Sequence, residues 1–158
     1  MKVAVYPGSF DPITLGHVDI IQRTRAVFDH VVVLVANSAS KKYLFSVEER
    51  KRLIEESLSD KDGVTVDIFE GLTVDYLKKN NQKVIIRGIR AVADFEYELV
   101  MANMNKQLAP DIETMIVFAN PKYHYVASRV IKEVALHKGR LSGFVPEVVE
   151  KALKKKLT

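Results

Sequence analysis

The sequence predicts an α/β protein: a doubly wound sheet of five parallel strands with helices on both faces. Two observations carry this. Short β-branched apolar runs alternate along the chain with segments of helical periodicity, the mark of βαβ units. The chain has 158 residues with 47% hydrophobic side chains, which suits one domain, 1–158, with a substantial core. No internal repeat, low-complexity stretch or linker interrupts it.

Val3–Tyr6 reads as the first buried strand. The turn-rich loop Pro7-Gly8-Ser9-Phe10-Asp11-Pro12 follows. A helix is expected from about Gly16 to Phe28, with Val18, Ile21, Val27 and Phe28 at helical spacing. Val31–Ala36 is a β-branched strand, and Asn37 to Phe45 is a polar loop holding Lys41-Lys42. Ser46-Val47-Glu48-Glu49 has the form of a capping box, so a helix starts there and runs to about Leu58. Val64–Phe69 alternates as a strand, and a short helix covers Val74–Asn80. Val84–Ile86 is a fourth strand, ending at Arg87-Gly88, with a long helix over Val92–Leu108. Thr114–Phe118 is the fifth strand. Helices close the chain over Ser128–His137 and Pro146–Leu157, the latter with Pro in its favoured first turn.

Composition narrows the function classes. Lys and Arg number 24 against 20 Asp and Glu, but the last eight residues hold four Lys and no acid. Positions 1–150 therefore carry 20 of each, and the pI of about 9.2 reports a lysine-rich end rather than a basic face. This argues against nucleic-acid and membrane-surface partners. There is no cysteine, so disulfides, thiolate metal sites and cysteine nucleophiles are excluded. The longest wholly apolar run, Val31 to Ala36, is too short to span a bilayer. The first residues do not read as a signal peptide, and a cytoplasmic location is expected.

A doubly wound sheet binds ligands beyond the carboxyl ends of its strands. Four clusters fall there. Gly8-Ser9-Phe10-Asp11-Pro12 with Thr14-Leu15-Gly16-His17 offers backbone N–H groups and a first-turn histidine to an anion. The competing reading is that Gly8 serves the turn and His17 caps the helix. Lys41 follows the second strand. Arg87 and Arg90 flank Gly88 at a strand exit and suit phosphate capture. Asp94 and Glu98 share a helix face, where one could accept from a ribose, or both could be surface carboxylates of a capped helix. Tyr123-His124-Tyr125-Val126-Ala127-Ser128-Arg129 leads into a helix with Ser128 expected as N-cap. No G-x-G-x-x-G or Walker lysine motif is present, so dinucleotide and P-loop readings fail. The four histidines show no zinc spacing.

Taken together, these stretches resemble the bacterial phosphopantetheine adenylyltransferase family of the nucleotidyltransferase superfamily, over essentially the whole chain. The marks are Tyr6-Pro7-Gly8-Ser9-Phe10-Asp11-Pro12-Ile13-Thr14, Gly16-His17, Ser40-Lys41-Lys42, and Ile86-Arg87-Gly88-Ile89-Arg90-Ala91-Val92-Ala93-Asp94-Phe95-Glu96-Tyr97-Glu98. The resemblance implies a Rossmann-like fold and a homohexamer. It implies transfer of the adenylyl group of ATP to 4′-phosphopantetheine, giving dephospho-coenzyme A and pyrophosphate. Mg²⁺ would be the cofactor, held mainly by substrate phosphates with no protein metal ligand, and coenzyme A a feedback ligand.

The resemblance also implies residue roles. His17, Lys41 and Arg90 would be catalytic. Ser9, Lys41, Thr73 and Arg87 would hold phosphopantetheine. Ser9, Phe10, His17, Gly88, Ile89, Arg90, Glu98 and the segment Tyr123, His124, Tyr125, Val126, Ala127, Ser128 and Arg129 would hold ATP. That segment departs from the family, which usually shows Ile-Ser-Ser-Ser where Val126-Ala127-Ser128-Arg129 stands here. The alternatives are a related cytidylyltransferase using CTP and a nucleotide-binding sensor without catalysis.

Overall fold

A computed structural model describes residues 1–58 and 62–157. Its sheet contains β1 (Val3–Gly8), β2 (His30–Asn37), β3 (Val64–Glu70), β4 (Val84–Ile89) and β5 (Glu113–Phe118), all parallel, in the order β3-β2-β1-β4-β5. The chain builds outward from β1 to β3, then crosses to the other side of β1 for β4 and β5. The switch point of the doubly wound sheet therefore lies between β1 and β4.

Six helices surround the sheet: α1 (Leu15–Arg25), α2 (Val47–Ser57), α3 (Thr73–Lys79), α4 (Val92–Leu108), α5 (Ser128–Leu136) and α6 (Glu147–Leu157). The inner strands are apolar on both sides, so each face must be covered. On one face, Ala4, Tyr6, Val31, Val33, Val35 and Ile86 pack with Ile21 of α1, Leu53 and Ile54 of α2, Ile131 of α5 and Leu153 of α6. On the other, Val5, Val32, Leu34 and Ile85 meet Val74 and Leu77 of α3 and Ala109 and Ile112 beyond α4. α4 itself is poorly covered: of its residues Glu98 alone is buried, and Val92, Phe95, Leu99, Val100 and Met104 are exposed.

Three element ends differ from the sequence reading by more than one residue. β1 continues through Pro7 and Gly8, which pair with Leu34 and Val35 of β2. On the other side Val5↔Ile85 is the one registered pair between β1 and β4 among the described residues. Pro7 brings no N–H to a ladder, and its carbonyl accepts instead from Arg87 Nη1 at 2.9 Å. β1 thus stays with β2 and parts from β4. β4 likewise runs on to Ile89, so Arg87 and Gly88 lie inside the strand, in register with Ile116 and Val117, rather than after it. α1 stops at Arg25, short of Phe28. The Val27 and Phe28 amides both bond to the Thr24 carbonyl in a tight turn, and Val27 is exposed rather than on the buried face.

Candidate active site

Where β1 and β4 part, a cleft of about 450 Å³ opens at the carboxyl edge of the sheet. Ser9 and Phe10, just past β1, form part of its floor. Phe10 is buried with φ +47°, a left-handed backbone that a bulky residue adopts only when packing holds it there. Its ring sits edge-on to Tyr6 and His17, at 5.4 and 5.1 Å between centroids. Gly88 completes the floor from β4. A Cβ there would meet Ile20 Cδ1 of α1, so a side chain at this crossing would require the Ile20 methyl to move aside.

His17 serves the helix and the cleft together. Thr14 is the N-cap of α1, and the His17 backbone N–H donates to its side chain at 3.4 Å. In return His17 Nδ1 accepts from the Thr14 backbone N–H at 3.0 Å. An Nδ1 that accepts leaves the proton on Nε2. Burial, then the charges of Arg90 and Arg87, hold the imidazole down at about 4. His17 is therefore a neutral N–H donor at neutral pH, not a cation.

Charge around the cleft follows a simple account. Arg87 donates Nε and Nη2 to the two oxygens of Glu98, both at 2.7 Å. Arg90 pairs with Asp94 at 3.4 Å and reaches the Val126 carbonyl at 3.2 Å. Asp94 also accepts the Arg90 and Ala91 backbone amides at the start of α4. Lys132 of α5 pairs with buried Asp11 at 3.0 Å. Six cationic side chains and three carboxylates line the cleft, and every carboxylate is used in one of these pairs. Lys41, Lys42 and Arg129 remain without a carboxylate partner among the described residues. The surplus is three positive charges facing one cavity, an environment for polyanions.

Comparison with known proteins places the chain in a family. Residues 5–134 match the cytidylyltransferase-like family model. A phosphopantetheine adenylyltransferase from Bdellovibrio bacteriovorus is 60% identical over 99% of this chain and 98% of its own. This chain belongs to the phosphopantetheine adenylyltransferase family. Members of that name from Dictyoglomus thermophilum and Desulfosudis oleivorans are 53% and 51% identical, each over 99% of this chain and over 95% and 94% of their own. A crystal structure titled as a candidate nicotinate-nucleotide adenylyltransferase from Vibrio parahaemolyticus shares the fold, with a TM-score of 0.73 over 99% of this chain and 95% of that one, at 18% identity.

Most of the residues that the family resemblance singles out meet in the cleft: Ser9, Phe10, His17, Lys41, Arg87, Gly88, Arg90, Glu98, Tyr123 and Val126 to Arg129. Four lie outside its lining. Thr73 opens α3, shortly after β3 ends at Glu70. Ile89 is buried, and His124 bonds to the Ala119 carbonyl at 3.2 Å; both border a second, apolar cavity beside α4. Tyr125 is exposed, edge-on to Phe144. Glu98 accepts from the Arg87 side chain, and Asp94 from two backbone amides beside its pairing with Arg90. Ser128 is not the N-cap: Ala127 holds that place without a side-chain bond, and Ser128 Oγ instead donates to the Pro12 carbonyl at 2.7 Å, tying α5 to the first loop.

Tyr43 and Lys132 lie outside every cluster read from the sequence, and Tyr6 and Asp11, though inside the first motif, are given no role there; all four line the cleft. Asp11 accepts the Leu44 and Phe45 amides, both at 2.9 Å, besides Lys132, and so joins three segments. Its partners lie 33 to 121 residues away, beyond the reach of any local pattern. Tyr6 is buried, and burial pushes its phenol well above the usual range, so it stays protonated.

Proposed function

We propose that the cleft brings ATP and 4′-phosphopantetheine together and transfers the adenylyl group, giving dephospho-coenzyme A and pyrophosphate. The observation that carries this reading is three cations, without a carboxylate partner among the described residues, that line one cleft with a neutral histidine at the switch point. Two polyanions repel each other, and a protein that joins them must supply charge and alignment. A phosphate oxygen of phosphopantetheine attacks the α-phosphorus. The new P–O bond forms as the α–β bridging bond breaks, and its electron pair leaves on pyrophosphate. The nucleophile is already an anion, so no strong base is required.

In this reading His17 Nε2–H donates to the α-phosphate oxygen whose charge grows, and Arg90 adds charge beside it. Lys41 and Arg87 hold the phosphopantetheine phosphate, with Thr73 farther along the acceptor. Ser9, Phe10, Gly88 and Ile89 shape the ATP side, and Glu98 borders it while holding Arg87 in place for the acceptor. Arg129 meets the β- and γ-phosphates where this chain lacks two of the family's serines. The lining carboxylates are all ion-paired, so Mg²⁺ fits this cleft as an ion carried on the triphosphate, which it binds readily while keeping its waters. There it would neutralise phosphate charge. Coenzyme A, with the same pantetheine and adenylyl parts as the product, would compete for the same space as a feedback ligand.

The family's homohexamer is supported here by the exposed apolar side chains of α4 together with Met115, Ile116 and Phe118 on the edge strand β5, an area too apolar to face water alone. No helix among the described residues is long and apolar enough to cross a membrane, and a cytoplasmic location is part of the proposal. The deciding experiment follows pyrophosphate release from ATP and Mg²⁺ with and without 4′-phosphopantetheine, and looks for dephospho-coenzyme A. Release that depends on the acceptor is the expected result. Release only with CTP would assign a cytidylyltransferase, and tight ATP binding without release would assign a sensor.

A further inference from the structure

Arg50 is the most deeply buried charged side chain among the described residues, fully enclosed, and the mechanism above gives it no part. In α2, Val47, Arg50 and Ile54 fall on one stripe, so the guanidinium stands where an apolar residue would ordinarily pack. No carboxylate pairs with it among the described residues. Its Nη1 donates to the carbonyls of Ser9 at 2.7 Å and Ala36 at 3.1 Å, and Nη2 donates to Asn37 Oδ1 at 2.7 Å. The Tyr43 ring covers its face, 3.9 Å from the guanidinium carbon. Nε is buried without a partner. Burying a charge with no counter-ion is costly, and the same volume of apolar side chain would avoid that cost. What the guanidinium adds is a rigid plate with donors at fixed angles.

That plate touches three things at once. Ser9 is the first residue after β1. Ala36 and Asn37 end β2. Tyr43 belongs to the loop that carries Lys41 and Lys42, and its hydroxyl accepts from the Ser38 backbone N–H at 3.1 Å. Asp11 holds the far end of the same loop through the Leu44 and Phe45 amides. The loop is thus pinned at both ends, and the two unpaired lysines stand between the pins.

We propose that Arg50 is a positioning residue that fixes the Lys41–Lys42 loop against the Ser9 turn, so that the lysines meet the acceptor phosphate at the height of the cleft floor. This rests on the reading of the cleft as the adenylyl-transfer site. The test compares Arg50→Lys, which keeps the charge but loses the plate, and Tyr43→Leu, which removes the ring from one side of it. Three quantities are measured on each: amide hydrogen exchange over residues 38–45 without ligand, KM for 4′-phosphopantetheine and for ATP with Mg²⁺, and Tm.

For Arg50→Lys, exchange in the loop should quicken and KM for phosphopantetheine should rise about 10–100-fold, the usual scale for an ångström of misplacement, with KM for ATP moving far less. Tyr43→Leu should do the same more weakly, and the double variant should be no worse than Arg50→Lys alone. A folded Arg50→Lys with unchanged loop exchange and unchanged acceptor KM overturns the proposal. So does an equal rise in both KM values with a fallen Tm, which would make Arg50 a structural prop. If Arg50→Lys does not fold, Tyr43→Leu decides by the same criteria. Wild-type protein that binds ATP but ignores phosphopantetheine, together with faster loop exchange in the variant, would sink the substrate reading and leave the positioning role standing.

Discussion

The two sides of the cleft hold their cations in opposite ways. On the β4–α4 side, Arg87 is locked to Glu98 through two bonds of 2.7 Å, and Arg90 is paired with Asp94. On the side of the β2–α2 loop, and at the start of α5, Lys41, Lys42 and Arg129 have no carboxylate partner among the described residues. A paired arginine is already aimed, so little side-chain freedom is lost when a phosphate arrives, but part of its charge is cancelled. An unpaired lysine brings its whole charge and must be ordered by the ligand. The first arrangement sets geometry. The second sets attraction, and with it the dependence on salt.

The strongest effect should come from the anchored donor between the two sides. His17→Ala should lower turnover about 10²–10³-fold with little change in either KM, as loss of one transition-state donor does. Rate measurements at saturating substrates check this, and a folded variant with normal turnover would take His17 out of the mechanism. Its titration gives a second signature. The imidazole sits near 4 when folded and near 6.5 when unfolded. The unfolded chain therefore takes up the proton first as pH falls. Stability is fully present above about 6.5 and is lost on going down toward about 4, by roughly 3 kcal/mol in all. Denaturant titrations should show this slope in wild type and a flatter one in His17→Gln.

Next in size is the locked pair. Arg87→Ala should weaken phosphopantetheine binding more than ATP binding and also lower stability by about 3 kcal/mol, because Glu98 is left buried with no partner. Arg87→Ala with Glu98→Gln should regain much of the stability and none of the binding. If the double variant melts no higher than the single one, the pair is not what holds that wall.

The sheet was legible in the sequence because its inner strands are apolar on both sides and its helices on one, and both periods survive in the chain. Strand ends were not. Pro7-Gly8 and Arg87-Gly88 have the composition of turns, yet a neighbouring strand continues the ladder past them. Cleft residues read from strand position or family resemblance were mostly found there. The side chains that arrange them were not, since Ser9–Arg50, Arg87–Glu98 and Asp11–Lys132 join residues 41, 11 and 121 positions apart. One local signal existed: an arginine on the apolar stripe of α2 marks a buried cation that needs an explanation.

The unpaired cations should behave in the opposite way to the pair. Lys41→Ala should leave Tm essentially unchanged, as its side chain has no carboxylate partner among the described residues, and should raise KM for phosphopantetheine about tenfold, near the 1.4 kcal/mol of one charge-assisted contact. The rise should shrink at high salt, whereas the Arg87→Ala defect should not. A salt-independent Lys41 effect would mean that it too is held in a fixed contact.

Arg129 tests the same rule at its weakest point. It is exposed at the start of α5, where the helix N-terminus and the Val126–Ala127 backbone already favour an anion. Arg129→Ala should therefore raise KM for ATP only about threefold, within the range of a solvent-screened charge, and leave the acceptor KM and Tm alone. Arg129→Ser restores one hydroxyl of the kind the family carries there. If the serine variant binds ATP better than the alanine variant and as well as wild type, a hydrogen bond and a free charge are interchangeable at this edge. If the alanine variant matches wild type at low salt, Arg129 points to solvent, and the surplus charge that draws in the triphosphate is Lys41 and Lys42 alone.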